Sequence, residues 1–296
     1  MLKDIPKDRV LNGLEWKKFN QTLKENRSAL PAVCVSSPST ANAAMAAAAQ
    51  VNSPIIILTS FGAGHFNAGK SLPKTPEVWA AGAASIAHHV HTMAPYYGVP
   101  VILATDHCSM ENRKWLDCML AIDKENAELT GRALWSGHMA DFSASTLDDA
   151  LPVYKELLGI HHSLGIIFEY ELGETGGEED GISGTASYTS PEEAAYVYGE
   201  LREISDLTTA ALTFGNVHGV YKGDFDLRPD ILGACQAKVR EKFGLQEELP
   251  MDLVFHGGSG CTPSQMEEAL KYGTVKQNID TDTQFAFTCG GIVPTV

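Results

Sequence analysis

The chain has 296 residues, enough for a full hydrophobic core in one large domain or two small ones. With 44% hydrophobic and 20% charged residues it has the composition of a soluble globular protein, and its net charge of −15 argues against nucleic acid or an anionic membrane as the main partner. An anionic small molecule held by a few local donors stays compatible with that charge. The six cysteines are spread along the chain without a C-x-x-C pair, which reads as reduced thiols of a cytoplasmic protein. The N-terminus MLKDIPKDRV is charged where a secretory segment would be apolar. No apolar stretch approaches the roughly 18 residues of a membrane span.

Short apolar runs alternate with longer segments of helical character. PAVCVSS (31–37) precedes the Ala-rich TANAAMAAAAQ, SPIIILTS (53–60) precedes a helix from about Pro76 to Tyr96, and VPVILATDH (99–107) precedes NRKWLDCMLAIDKENAELTG. ALWSGHMADFS (133–143) precedes TLDDALPVYKELLGIHHSL, and GIIFEYELG (165–173) precedes a Gly/Glu-rich loop and then SPEEAAYVYGELREIS. TTAALTFGN (208–216) precedes a loop and RPDILGACQAKVREKFG, MDLVFHGGSG (251–260) precedes TPSQMEEALKYG, and TVKQNIDTD (274–282) comes last. Gly131 and Gly244 stop two of the helices, and Ser190-Pro191-Glu192-Glu193 starts another. Eight strands in strict alternation with helices predict a parallel sheet, best closed as an α/β, (β/α)8 TIM barrel spanning 1–296 as a single domain. A doubly wound open sheet is the rival, since alternation alone does not separate the two.

Parallel barrels carry their active sites at the C-terminal strand ends. Those ends supply Ser36, Ser60, Asp106, His107, Asp141, Glu169, Glu171, Asn216, His218, His256, Ser259, Asn278 and Asp280. A buried acid and imidazole side by side, Asp106-His107, would be costly without a use. His107, His218 and His256 each stand at or just past a strand end, and three neutral imidazoles around an open position form a common catalytic zinc arrangement. Singly, each would read as an ordinary hydrogen-bonded histidine. His88, His89 and His91 read as a solvated helix surface, His161 and His162 as favourable charges at a helix end, and His65 and His138 carry no spacing argument. His256-Gly257-Gly258-Ser259-Gly260 before a helix, followed by NIDTDT (278–283), points to phosphate held by backbone N–H groups. ELGETGGEEDG (171–181) reads as a solvated loop or as a mobile lid that brings in a carboxylate base.

TDHC, ELGxTGGEEDG, FGNVHGVYK, FHGGSG and NIDTDTQ, in that order over about Pro31 to Gln284, resemble the class II, zinc-dependent fructose-bisphosphate aldolases of the longer, dimeric subgroup. The resemblance implies reversible aldol cleavage of fructose 1,6-bisphosphate, with Zn2+ on His107, His218 and His256. Glu171 and Asp141 would serve an alternative buried metal position. It implies Asp106 as the residue handling the proton on the C4 oxygen and Glu179 as the base at the triose-phosphate carbon. Val217, Gly219, Gly257 and Ser259 match a monovalent cation (K+ or Na+) and phosphate site. Asn278, Asp280 and Thr281 match substrate and phosphate contacts, with Ser60 and Lys222 as further phosphate contacts. The implied partners are a sugar bisphosphate and a second copy in a homodimer.

Three departures stand against the pattern. Cys34 replaces the usual asparagine, and Phe61 replaces a polar residue after the second strand. The chain also ends about ten residues past NIDTDTQ, on FTCGGIVPTV. Members of the family continue there through a last barrel helix and a segment with a phosphate-binding arginine. The expectation is therefore a truncated last helix, started over about Thr283 to Cys289 and broken by Gly290-Gly291 and Pro294, with the family's C-terminal helical part missing after about residue 286. Three other functions stay open: a catalytically weak or inactive metal-binding remnant, an aldolase for a related ketose bisphosphate, and a metal-dependent hydrolase.

Overall fold

The computed structural model of the protein describes residues 5–179, 182–184, 187–219 and 227–291. From the N-terminus run α1 (Gly13–Glu25), β1 (Leu30–Cys34), α2 (Pro38–Gln50), β2 (Ile55–Thr59), α3 (Phe61–Ala68), α4 (Pro76–Tyr97), β3 (Val101–Thr105), α5 (Arg113–Thr130), β4 (Gly137–Ala140) and α6 (Leu147–Leu164). Then come β5 (Ile167–Leu172), β6 (Gly177–Glu179), β7 (Ile182–Gly184), α7 (Pro191–Arg202), β8 (Thr208–Leu212), α8 (Asp230–Phe243), β9 (Leu253–Phe255), α9 (Pro263–Leu270), β10 (Thr274–Ile279) and α10 (Thr281–Gly291). Each predicted apolar run holds one barrel strand. The order β1-β2-β3-β4-β5-β8-β9-β10 closes on itself through parallel pairing of β1 with β10, Leu30 opposite Lys276. That pairing excludes the open sheet: the fold is a (β/α)8 barrel.

The strands are largely apolar because both of their faces are buried. Ile56, Leu58, Ile102, Ala104 and Ile167 point inward, while Ile55, Ile57, Val101, Leu103 and Phe168 pack outward against the helices. The same inward parity, continued up the strands, brings Asp106 past β3, Glu171 on β5 and His256 past β9 to the upper end. The lower end is closed by α1, which the sequence reading passed over. Trp16, Phe19 and Leu23 of α1 join the inward cluster, each contributing roughly 1.5–3 kcal/mol by burial. The helix is fixed electrostatically as well: Lys17 Nζ lies 2.9 Å from one oxygen of buried Asp252, and Lys24 Nζ lies 2.8 Å from the other. Its Asn12/Glu15 capping box satisfies the first turn.

Gly131 and Gly244 end α5 and α8 in the left-handed conformation, as expected, and Ser190 caps α7 ahead of Pro191. Helix α3 was not anticipated. It lies on α4 through two glycines: a Cβ on Gly82 would sit 1.9 Å from the Gly64 carbonyl oxygen. Phe61, at the start of α3, packs on Trp79 and Trp115 with ring centroids 5.3 and 6.1 Å away. An aromatic residue therefore suits a position where a polar one was expected. Gly82→Ala is expected to lower unfolding free energy by about 1–3 kcal/mol or more through overpacking. Gly159→Ala on α6, where nothing lies within 4 Å, should change it by less than about 1 kcal/mol. Urea midpoints of the two variants check the contrast.

The Gly/Glu-rich segment is not wholly loop, since β6 and β7 pair antiparallel as a small hairpin. The last helix also differs from expectation. It runs from Thr281 through Gly290 to Gly291, and Gln284 Nε2 donates to both carboxylate oxygens of Asp280 at 2.9 Å.

Several histidines correct the sequence reading. Of His88, His89 and His91 only His88 is exposed; His89 bonds Asn42 at 2.8 Å, and His91 Nε2 donates to the Leu134 carbonyl at 2.7 Å. His138 is buried between Thr105 and Asp123, 2.6 Å from the latter. His161 is no charged helix terminus. It is fully buried, donates from Nδ1 to the Leu157 carbonyl, and leaves Nε2 without a hydrogen-bond partner. Burial, with His138 beside it, pushes its pKa down to about 3. The unfolded chain therefore takes a proton on this residue near pH 6.5 that the folded chain refuses until about pH 3. Stability from this residue is unaffected above pH 6.5 and falls with pH between those limits, by up to about 1.4 kcal/mol per pH unit. A His161→Gln variant should show a shallower loss of stability between pH 6 and 4, measured by urea unfolding at each pH.

Candidate active site

The upper end of the barrel holds a cleft of about 410 Å3. Asp106, His218, Gly219, His256, Gly257, Ser259, Asn278, Asp280 and Thr281 line it, together with Gln284, Phe285 and Thr288 of α10. Gln284, Phe285 and Thr288 were not foreseen, because nothing in TDTQFAFT marks that face of a short helix as turned to the cleft.

Asp106 and His107 leave β3 in different directions. Asp106 is 2% exposed and accepts a hydrogen bond from Asn278 Nδ2 at 3.0 Å. His107 is held from two sides: Nδ1 lies 2.9 Å from Asp141 Oδ2, and Nε2 lies 2.8 Å from His256 Nδ1. Asp141 is itself braced by Ser143, whose N–H and Oγ donate to Oδ1 at 3.1 and 2.6 Å. Burial alone would raise the Asp141 pKa, but His107 and Ser143 outweigh it and hold the carboxyl at about 2.

The ring centroids of His107 and His218 are 4.8 Å apart, and those of His107 and His256 are 4.3 Å apart. Ligand nitrogens of all three lie within 4.8 Å of one another, so one ion could meet them together. His107, Asp141 and Glu171 form a second such group on the other ring nitrogen of His107. Glu171 is fully buried. Its Oε1 accepts from Thr175 N and Oγ1, while Oε2 accepts no hydrogen bond and lies 3.4 Å from His107 Nδ1. Burial and the neighbouring Asp141 push its pKa well above the carboxylate range. An orphaned buried oxygen and facing imidazole nitrogens are what a divalent ion would satisfy, so the residues fit a metal.

Burial and nearby His107 push the His256 pKa down to about 3, which keeps the ring neutral as a ligand must be. Its Nε2 donates to Glu169 Oε1 at 3.0 Å, and Asn278 Nδ2 approaches its Nδ1 at 3.1 Å. Glu169 therefore does not reach the mouth as its place at a strand end suggested. It sits below His256, where Lys276 Nζ lies 2.8 and 2.7 Å from its two oxygens. Burial opposes ionisation of Glu169, but Lys276 and His256 outweigh it and hold the carboxyl at about 2. Lys276 was missed. The signal was parity: it precedes Asn278 by two residues on β10, as Glu169 precedes Glu171 on β5.

The glycine signals correspond to close backbone approach. Gly257 has φ +73°, and a Cβ there would lie 2.3 Å from the Val217 carbonyl oxygen. Ser259 Oγ accepts from the Asp282 N–H at 3.2 Å, joining this turn to the start of α10. Asn216 Nδ2 donates to the His256 carbonyl at 3.0 Å. Ser60 caps α3, its Oγ accepting from Ala63 N at 3.2 Å. Cys34 ends β1 half-buried, and no disulfide is formed among the described residues. Glu179 ends β6, but its side chain lies outside what is described, and Lys222 lies outside the described residues.

A closed barrel whose upper end gathers imidazoles, carboxylates and glycine turns belongs, in chemical type, with barrel enzymes that use a bound metal on an oxygen-rich substrate. Comparison with known proteins makes the family definite. The family model described as fructose-bisphosphate aldolase class-II matches residues 15–291, and the chain belongs to that family. It is 46% identical over 291 residues to the fructose-bisphosphate aldolase of Edwardsiella ictaluri (strain 93-146), covering 96% of this chain and 81% of that protein. It is 44% identical over 292 residues to the fructose-bisphosphate aldolase class 2 of Escherichia coli (strain K12), at the same coverage. The crystal structure of fructose-bisphosphate aldolase from Campylobacter jejuni superposes with a TM-score of 0.88 at 43% identity, over 97% of this chain and 81% of that one. No helix among the described residues is long and apolar enough to cross a membrane.

Proposed function

We propose that this protein catalyses the reversible aldol cleavage of fructose 1,6-bisphosphate into dihydroxyacetone phosphate and glyceraldehyde 3-phosphate. The observation that carries the reading is the meeting of His107, His218 and His256, the last two lining one cleft with Asp106, in a chain of this family. Zinc on the three histidines would supply Lewis-acid polarisation of the substrate ketone, worth several kcal/mol.

The chain's own residues supply the proton transfers and the grip. Asp106, oriented by Asn278 Nδ2, takes the proton from the C4 hydroxyl as the C3–C4 bond breaks, and the C4 carbon leaves as the aldehyde. Glu179 acts at the triose-phosphate carbon, C3, returning a proton there in the cleavage direction. Asp141 fixes the His107 ring, and with Glu171 it forms the alternative metal position. Gly257, Ser259, Asn278, Asp280 and Thr281 line the cleft where phosphate and substrate hydroxyls would be held, beside the N-terminus of α10. Ser60 and Lys222 are further phosphate contacts in this reading. Val217, Gly219, Gly257 and Ser259 are proposed for a monovalent cation. The homodimer rests on the resemblance, and the cytoplasmic location on the spread of the cysteines without a C-x-x-C pair.

A steady-state cleavage assay on fructose 1,6-bisphosphate, coupled to detection of the triose phosphates, tests the reading. Turnover supports it. Stoichiometric zinc binding without cleavage would establish the metal-binding remnant instead, release of inorganic phosphate would establish a hydrolase, and a preference for another ketose bisphosphate would reassign the substrate.

A further inference from the structure

Four inward-facing side chains from four strands meet in the middle of the barrel, below the cleft. Glu169 on β5 receives the Nε2–H of His256, which follows β9. Lys276 on β10 contacts both carboxylate oxygens of Glu169, and Thr209 on β8 donates to Oε2 at 3.3 Å. β8 and β10 are the two neighbours of β9 in the barrel, so the partners of Glu169 flank the strand that carries His256.

Lys276 is 0% exposed and Glu169 is 3% exposed. A buried ion pair is a poor source of stability, since well-packed apolar residues of similar volume often serve as well or better. This pair is placed where a small rotation would matter. Glu169 Oε1 is shared between Lys276 Nζ and His256 Nε2, so the ammonium that grips both oxygens also fixes the carboxylate plane the imidazole must meet. With Nε2 committed as a donor, the neutral ring carries its lone pair on Nδ1. That nitrogen is the one facing His107 Nε2, at 2.8 Å.

We propose that Lys276 and Glu169 are positioning residues for the metal: together they hold His256 in the Nε2–H tautomer and aim its Nδ1 at the ion. The inference rests on His256 being a zinc ligand. Neither residue lines the cleft, and the outcome depends on the arrangement rather than on either charge alone.

The test uses metal-free full-length protein. The zinc dissociation constant is measured by competition with a chromophoric chelator, and the His256 tautomer is read from imidazole 15N shifts. Lys276→Met is expected to weaken zinc binding about 10–100-fold, the usual effect of losing an outer partner of a metal-bound histidine. It should also turn the single Nε2–H tautomer into a mixture. Glu169→Leu/Lys276→Met carries no buried charge and so keeps the fold if the single variant does not. It should show the same loss. Zinc affinity within twofold of the parent in the folded double variant would overturn the proposal, as would an unchanged affinity alongside a lowered Tm. Failure of both variants to fold would overturn it too, by giving the pair a folding role. If the parent itself bound no zinc, or His256→Ala bound it as well as the parent, the metal site would fail instead, and the two failures are thereby distinguished.

Discussion

Cleavage by this protein is expected to disappear on exhaustive chelation and to return with stoichiometric zinc. Each 1.4 kcal/mol of lost transition-state stabilisation is about tenfold in rate, so losing a Lewis acid worth several kcal/mol should cost about 10³-fold or more. His256→Ala should lose the ion and should not be rescued by one equivalent of zinc. Two of the remaining ligand groups, His107 and Asp141, would still be braced at 2.9 Å and would hold a metal only weakly. Zinc content by elemental analysis and kcat/KM on the same samples check this. Full activity in a metal-free sample would remove the basis of the proposed chemistry.

The second large effect concerns the proton transfers. Asp106→Asn and Glu179→Gln should each retain stoichiometric zinc and near-parental KM while kcat falls by roughly 10²–10⁴-fold, the range for losing a general acid or base. The Asp106 substitution is a clean probe. An asparagine oxygen still accepts from Asn278 Nδ2, as Asp106 Oδ1 does at 3.0 Å, so geometry persists while proton affinity is lost. Isotope exchange at C3 of dihydroxyacetone phosphate separates the two variants: Glu179→Gln should slow exchange, whereas Asp106→Asn should leave it. Parental turnover in both would show that the roles are assigned to the wrong residues.

The parts of this molecule that could be read from sequence are those governed by local pattern. Apolar runs such as SPIIILTS declare buried parallel strands because both faces are covered, and their strict alternation with helices leaves few ways to connect them. What one residue needs from a distant one was hidden. Helix α1 was passed over although Trp16, Phe19 and Leu23 keep helical spacing, because Asn20 and Lys24 stand at buried positions that make sense only once Asp252 is beneath them. His138 and His161 looked idle or charged for the same reason: their partners Asp123, Thr105 and Leu157 lie on other turns or other elements. In and beside the cleft, Asp106, His107, His218 and His256 stood out by type and place. Lys276 did not, because a lysine in TVKQNID resembles any surface lysine until its inward parity is counted. The α3 helix was invisible because FGAGHFNA holds two glycines, which depress helix propensity, although one of them, Gly64, lets α3 lie on α4 against Gly82.

Closure through β1 and β10 has a consequence for how the chain acquires this structure. Leu30 pairs with Lys276, and the α1 lysines meet Asp252, so the first elements made are finished by nearly the last. Contacts so far apart in sequence demand a large loop-closure entropy before any return, which predicts slow formation of the final ring. Until β10 arrives, the edge of β1 stands open as a row of unpaired amides and carbonyls, able to recruit another chain. Refolding yield should therefore fall steeply with protein concentration, and the lost material should be aggregate formed before the ring closes rather than after.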